Sequence, residues 1–513
     1  MAPGTLDVEW VTEELIWVAP GSELKEMLDE ALDLVRRRPE ILTLIEADQE
    51  TMALAKKKLR LADQRWVAAL VPDFPQLRWE EEVALAAEPV LLETGRPRMP
   101  AEVVYVFFML QGYLGSVTDR RARDQLLESR TLHRFLHGRG LGMPGWSTIL
   151  EQVNAVSVAT RNFILDAQLQ MICEAGLDDF GQVVVDSTAV KANSTWPTDA
   201  GILLGLLQRA FRISQHLDRF GLANLPKHWV PFWLRKLGKL LFRISIEVGK
   251  PHAKRKRRKH YRRFLDSAQK VAEHLMSVAA ERDPLQESAA LPPSRRAQLE
   301  RMWAQLQEDL VHAVAVSEYT EERIFQEKQR PSGDKMLSLA DPSAAYIEKG
   351  NREAVIGYRP QVARSGQGFV CGLIVPEGNA ADSTQLRPLL DEVEQRTGTR
   401  PTKLSADDGY VCAADRDQLL EEGLQVVSFS GAKGKKIISE ADWDSPAYVE
   451  ARRGRSAVES LIFVLKHGFD FGSLRRRGLD AVRAELLQKV IAHNFCRMVL
   501  VRARQQELAK RAA

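Results

Sequence analysis

Three consecutive valines, Val183, Val184 and Val185, run straight into Asp186. A short apolar run without alternation predicts a strand covered on both faces, inside a sheet rather than at its edge. A carboxylate at the end of such a strand is costly unless something neutralises it. A cap on the next segment or an ion pair would do so, and so would a metal ion. For a lone strand-end aspartate the cap or ion pair is the commoner answer. Two further carboxylates in equally pointed settings, Asp407 and Glu459, shift that balance.

The chain has 513 residues, of which 45% are hydrophobic and 27% charged. This is a globular composition with ample material for a core, and the length implies two to four structural units. The formal net charge is only +3, so the chain as a whole is not a polycation. Local clustering of its basic residues therefore matters more than their total. Cys173, Cys371, Cys412 and Cys496 lie far apart and form no C-x-x-C pair. That spacing argues against a zinc site and a disulfide framework and fits a reducing compartment. The first ten residues are acidic where a secretion signal would be basic and then apolar. No apolar run approaches the roughly 18 residues of a membrane span. A cytoplasmic, nucleoid-associated protein without a membrane partner is expected.

Patterning divides the chain into sections. Residues 1–100 predict a helical N-terminal arm, with helical spacing over 22–35 and 48–61 and Pro-containing breaks at 71–75 and 95–100. Residues 101–175 are a second helical section. Within it, 102–114 is apolar nearly all round, which predicts a buried helix. Residues 116–127 predict a basic helix capped at Thr118, and 138–145 a Gly-rich turn. Thr148 and Glu151 have capping-box spacing and predict the start of another helix. With Arg120, Arg121, Arg123, Arg134 and Arg139 around it, this pattern is compatible with a helix-turn-helix that meets DNA. An ordinary bundle with a solvated basic face is the commoner outcome of such a pattern.

Residues 201–334 predict a basic helical insertion. Nine of the fourteen residues from Lys250 to Arg263 are Lys or Arg. A solvated face is the bland reading of any charge run. At this density, adjacent like charges repel, and a polyanion is the simplest remedy. Nucleic-acid backbone is favoured over an acidic protein. Lys254, Arg255, Lys256, Arg257, Arg258, Lys259, Arg262 and Arg263 are the candidate DNA contacts. The nearby Trp229, Phe232, Trp233, Tyr261 and Phe264 are expected in the core rather than as base-stacking platforms.

Residues 176–200 and 335–475 carry the strand patterns. Two apolar runs, 353–363 and 368–375, are joined by the polar turn 364–368 and predict a hairpin. An amphipathic helix over 382–395 follows, then a strand ending at Asp407, a helix over 413–421 and a strand over 425–429. This order predicts a mixed α/β sheet. Residues 476–513 predict a C-terminal helix and tail.

Asp186, Asp407 and Glu459, with no His or Cys at ligand-like spacing, form a hard oxygen set. That set suits two Mg²⁺ ions, with Mn²⁺ as a substitute. Two such ions, roughly 3.5–4 Å apart, can activate a hydroxyl and stabilise the leaving oxygen of a phosphodiester. Arg455 and Lys466, one turn before and two turns after Glu459, would offer positive charge to phosphate. Each residue also has a plain structural reading. Asp407 with Asp408 and Gly409 makes a good turn, Glu459 can pair with Arg455 along a helix, and Lys466 can be solvated. Asp199 and Asp408 are the nearest alternative ligands.

These segments resemble the DDE transposases of bacterial insertion sequences, and within them the heterogeneous ISNCY-like group. The residues Val183 to Thr188 resemble the first-carboxylate motif, and Trp196 to Asp199 the Pro-Thr-Asp turn that follows it in one branch. Ser405 to Tyr410 resembles the second motif. Arg455, Glu459 and Lys466 match the third in identity and spacing. Segments 335–341 and 378–382 and the region 126–148 are similar as well. The resemblance departs at Arg452, where a Tyr is expected three residues before the Arg; Tyr448 is the nearest substitute. It implies an RNase H-like mixed sheet flanked by helices. The chain's own pattern adds an all-α N-terminal region and a large helical insertion after the first strand; that insertion departs from those relatives that carry theirs just before the Glu helix, so their insertion-domain roles do not carry over. The resemblance also implies binding to terminal inverted repeats in double-stranded DNA, metal-dependent cleavage, strand transfer into target DNA, and a homodimer or larger assembly. An RNase H-like nuclease without strand transfer and a non-catalytic, domesticated DNA-binding protein are the alternatives.

Overall fold

The computed structural model describes residues 23–70, 98–115, 128–194, 198–219, 228–247, 252–280, 291–348 and 353–512. The chain falls into two compact units, one of residues 1–51, 95–193 and 347–513, the other of 52–94 and 194–346.

The first unit is built on a five-stranded mixed sheet. Its strands are β1 (Gln182–Ser187), β5 (Gln361–Ser365), β6 (Val370–Ile374), β7 (Lys403–Ala406) and β8 (Val426–Phe429), with the short strands β2 (Val190–Lys191), β3 (Ala345–Ile347) and β4 (Val355–Tyr358) outside it. The order across the sheet is β6-β5-β1-β7-β8. β5 runs antiparallel to β1, whereas β7 runs parallel to β1 and β8 parallel to β7. The valine run thus occupies the central strand, and Val183, Val184 and Val185 are all buried. This is the mixed sheet that the RNase H-like expectation requires.

The two faces are covered by helices. Leu386–Thr397 packs on β5 and β6, Pro446–Gly454 on β7 and β8, and Ser456–Gly468 on β1. The long C-terminal helix Leu479–Ala512 packs against Glu23–Arg37, Ala101–Leu114 and Val158–Glu174. Ala101–Leu114 is buried nearly all round, as its composition dictates. Arg161 is fully buried in this helical layer, where its guanidinium donates to three backbone carbonyls and to Gln488 Oε1. Such full pairing is what makes a buried cation tolerable.

Three local expectations change. The run 353–363 is not one strand, because Arg359 and Pro360 break it into β4, which pairs with β2, and β5, which pairs with β1. Proline has no N–H for a ladder, so it ends one strand and starts the next. The hairpin therefore consists of β5 and β6 alone. The helix Trp146–Ala155 starts two residues before Thr148, with Gly145 at its N-cap and no side-chain cap. The basic segment 116–127, with its cap at Thr118, lies outside the described residues.

The second unit is helical. Asp199–Arg219, Trp229–Ile246, Ala253–Ala280 and Pro293–Glu321 share one apolar core. Arg209 and Asp309 form an ion pair within it, and the Asp309 side chain has no solvent exposure. Tyr261 and Phe264 lie in this core, as expected. Trp233 packs partly buried against it, whereas Trp229 and Phe232 are 37% and 56% exposed.

Candidate active site

β1 and β7 are parallel neighbours, so both deliver their carboxylates to the same end of the sheet. Asp186 lies within β1, and Asp407 is the first residue past β7. Each aspartate has one oxygen fixed by a local backbone amide. Asp186 Oδ1 accepts from Ser187 N at 2.7 Å, and Asp407 Oδ1 accepts from Gly409 N at 2.8 Å. The other oxygen of each turns toward Arg455. Its Nη2 lies 3.4 Å from Asp186 Oδ2 and 3.5 Å from Asp407 Oδ2. Its Nη1 pairs with Glu459. Arg455 stands at the junction of Pro446–Gly454 and Ser456–Gly468, where the chain turns and Glu459 enters the first turn of the second helix.

Three side chains from distant parts of the sequence therefore meet on a single guanidinium. Side-chain exposure rises from 7% at Asp186 through 22% at Asp407 to 57% at Glu459, so the cluster opens to solvent on its Glu459 side. One cation against three carboxylates leaves a surplus of negative charge. The donors are all oxygen, which is the set that Mg²⁺ or Mn²⁺ takes. Among the described residues, no group of three or more His, Cys, Asp or Glu side chains stands in a metal-holding array. Here the shared arginine holds the carboxylates together.

A second, buried network lies beside this cluster. Arg359 pairs with Asp382 and also donates from Nε to Ser187 Oγ at 3.2 Å. Gln361 Nε2 donates to the other Asp382 oxygen at 3.1 Å, and Tyr410 O–H donates to Gln361 Oε1. Burial pushes the Tyr410 hydroxyl well above its ordinary range, and the charges of Asp382, Asp186 and Asp407 push it further. Tyr410 is therefore a neutral donor at any working pH. Gly409 is wedged between Asp382 and Asp407: a Cβ there would stand 2.8 Å from Asp382 Oδ2 and 3.0 Å from Asp407 Oδ1. The network stitches the end of β1, the break before β5, the loop after β6 and the turn after β7. Its sequence signals were the Arg-Pro break in an apolar run, the aspartate opening the 382–395 segment and the Gly-Tyr after Asp408; none of these specified a partner.

The remaining sequence candidates find other places. Lys466 Nζ donates to the carbonyl of Ala189 at 3.0 Å, just past the end of β1. Asp408 accepts from the amides of Lys433 and Gly434 at 2.9 and 3.0 Å, at the start of the helix Ala432–Ile437. Gly431 makes room for it, since a Cβ there would lie 2.1 Å from the Asp408 carboxyl. Asp199 belongs to the helical unit and pairs with Arg323 at 2.7 Å. Tyr448 is buried, donates to the carbonyl of Phe429 and accepts from its amide, so it braces β8. Arg452 lies over the ring of Trp443 at 4.3 Å.

The basic run of the helical unit is divided. Lys254 pairs with Glu327, Arg262 with Glu321, and Arg258 donates to the carbonyl of Phe325. Lys256 lies 3.9 Å from Glu247. Arg255, Lys259 and Arg263 are exposed at helical i, i+4, i+8 spacing and have no ion pair among the described residues. Arg257 is half-buried.

Residues 328–495 match the family model for the transposase DDE domain. No curated protein and no solved structure matches the chain. The DDE match contains β3 to β8, Asp407, Arg455, Glu459 and Lys466, but stops short of β1 and Asp186. What joins Asp186 to the DDE domain is spatial: the pairing of β1 with β5 and β7, and the contact of its carboxylate with Arg455. Among the described residues, no helix is long and apolar enough to cross a membrane.

Proposed function

We propose that this chain is a DNA transposase of the ISNCY-like group. It binds the terminal inverted repeats of its own insertion sequence, cuts the strand at each end and joins the freed 3′-hydroxyl to target DNA. The observation that carries this reading is the meeting of Asp186, Asp407 and Glu459 on Arg455, within a mixed sheet whose later strands match a transposase DDE domain.

Asp186, Asp407 and Glu459 would hold two Mg²⁺ ions, with Mn²⁺ as a substitute. When bound, the ions supply an ionised attacking oxygen and charge stabilisation of the leaving oxygen. The side chains do the rest. The backbone amides on Oδ1 of Asp186 and Asp407 fix both carboxylates, so their Oδ2 atoms stay turned to the open side of the cluster. Arg455, beside all three carboxylates, would offer its planar fork to a phosphate. Lys466, anchored on Ala189, adds a point charge beside the end of β1. Arg255, Lys259 and Arg263, the exposed members of the basic cluster without an ion pair among the described residues, grip duplex backbone, and both ends of the element are held by a dimer or larger assembly.

The test is Mg²⁺-dependent nicking of a labelled terminal repeat. Asp186→Ala is expected to abolish nicking while leaving repeat binding largely intact. Full nicking by this variant overturns the assignment. Cleavage without joining in the wild-type protein favours a nuclease.

A further inference from the structure

The helix Trp229–Ile246 turns its apolar side, with Val230, Leu234, Leu237, Leu240 and Ile244, into the core of the helical unit. Its other side is unusual for a solvated surface. Phe232 is 56% exposed and Phe242 66%. Between and beside them stand Arg235, Lys236, Lys239 and Arg243, all exposed. At 3.6 residues per turn these six side chains fall within an arc of about 120°. The helix contains no acidic residue. None of its four cations has an ion pair among the described residues; Lys236 lies 4.1 Å over the ring of Trp233. Phe232 is propped edge-on against that same ring, at 5.7 Å between centroids.

We propose that this face binds an unpaired DNA strand, with bases stacked on Phe232 and Phe242 and the backbone neutralised by the four cations. The inference rests on DNA being the substrate, as argued above. Charge selects a polyanion. The rings select among polyanions: a duplex keeps its bases stacked inward and offers such rings no partner, whereas an unpaired strand presents π-faces and phosphates together. A membrane surface fits less well. An interfacial helix needs its apolar face free, and here that face is packed in the core. The neighbouring basic helix Ala253–Ala280 reaches the Trp233 ring with Lys270, at 5.3 Å, but among the described residues it carries no exposed large ring of its own.

Fluorescence anisotropy of the full chain, without divalent ions, against a labelled oligo-dT and a labelled duplex of equal length tests this. Phe232→Leu with Phe242→Leu keeps apolar bulk and removes the rings. Oligo-dT affinity is expected to fall at least about tenfold, with duplex affinity unchanged. Arg235→Gln with Lys239→Gln is expected to weaken oligo-dT binding and flatten its salt dependence. Oligo-dT binding at wild-type strength by the Leu variant, with an unchanged melting curve, overturns the proposal. So does equal loss on both DNAs, or displacement of oligo-dT by phosphatidylserine vesicles. Repeating the measurement with Asp186→Ala separates the two readings, because strand binding here needs no cleavage.

Discussion

The two units differ in where their clustered charge sits. The sheet-bearing unit draws its ionised groups inward: Arg455 among three carboxylates, Arg359 on Asp382, Arg161 on carbonyls of neighbouring helices. The helical unit ties up part of its cationic charge and displays the rest, on Arg255, Lys259 and Arg263 and along the 229–246 helix. A buried ion pair adds little net stability, yet removing one partner leaves an uncompensated charge. An exposed cation costs almost nothing to remove, and its loss is felt only by a ligand. Substitutions in the first unit should therefore act through geometry and stability, and those in the second through binding.

The largest break in this contrast is expected at Arg455. In Arg455→Ala the three carboxylates lose their shared cation and repel one another. Nicking of a terminal repeat should fall by about 10²–10³, the scale for removal of one preorganised charge-stabilising donor. The apo variant should also melt below wild type, and Mg²⁺ should raise its melting temperature more than that of wild type. A variant whose stability is indifferent to Mg²⁺ would mean that the carboxylates are not a metal site. Lys at this position should restore part of the stability and little of the activity, because a point charge cannot fork between three acceptors.

Next comes the network behind the cluster. Tyr410→Phe removes one hydroxyl and leaves the ring in place, so Gln361 loses a donor and Asp382 loses support. A loss of 10–100-fold in activity or metal affinity is expected, the usual cost of breaking an outer-shell partner. The diagnostic is the Mg²⁺ concentration for half-maximal nicking, which should rise while repeat binding stays constant. A purely structural role would lower the melting temperature without moving that midpoint.

The two networks also mark where the sequence was legible. Asp186, Asp407, Arg455 and Glu459 could be named because each sits at a short, local signal: a valine run, a strand end, a helical i, i+4 pair. Asp186 and Asp407 converge through the parallel pairing of β1 with β7, and Arg455 and Glu459 join them through the packing of Ser456–Gly468 on β1. Asp408 was ambiguous because its partners, the amides of Lys433 and Gly434, lie some two dozen residues away. Arg359 and Asp382 were illegible as a pair for the same reason. The Thr148 capping box misled because such a box is a propensity, and Gly145 with Trp146 already starts that helix. Phe232 was assigned to the core because aromatic residues usually are. The period of the helix puts it among the cations instead.

A smaller effect separates the units by pH. His493 is buried on the C-terminal helix, and burial lowers its pKa to about 4 from 6.5. Between these values the unfolded chain binds a proton that the folded unit refuses, so stability rises with pH across this window and is lost as pH falls through it. Denaturant melts of wild type from pH 7 to pH 4 should show this loss. His493→Gln should flatten it, and an unchanged slope in that variant would assign the acid sensitivity to other groups.

The smallest effects, and the sharpest test of the contrast, lie within the basic run itself. Sequence alone gives all eight cations of 254–263 equal standing, but the structure divides them. Each phosphate contact contributes close to one unit to the slope of log affinity against log salt. Arg255→Gln with Lys259→Gln should therefore reduce that slope on duplex DNA by about two and weaken binding at moderate salt. Lys254→Gln with Arg262→Gln removes cations already paired with Glu327 and Glu321, so the slope should change by less than about one unit. If the two pairs of substitutions reduce the slope equally, the acidic partners yield to DNA on binding, and pairing in the free protein does not decide which cations meet the backbone. If neither pair moves it, the run is a solvated surface.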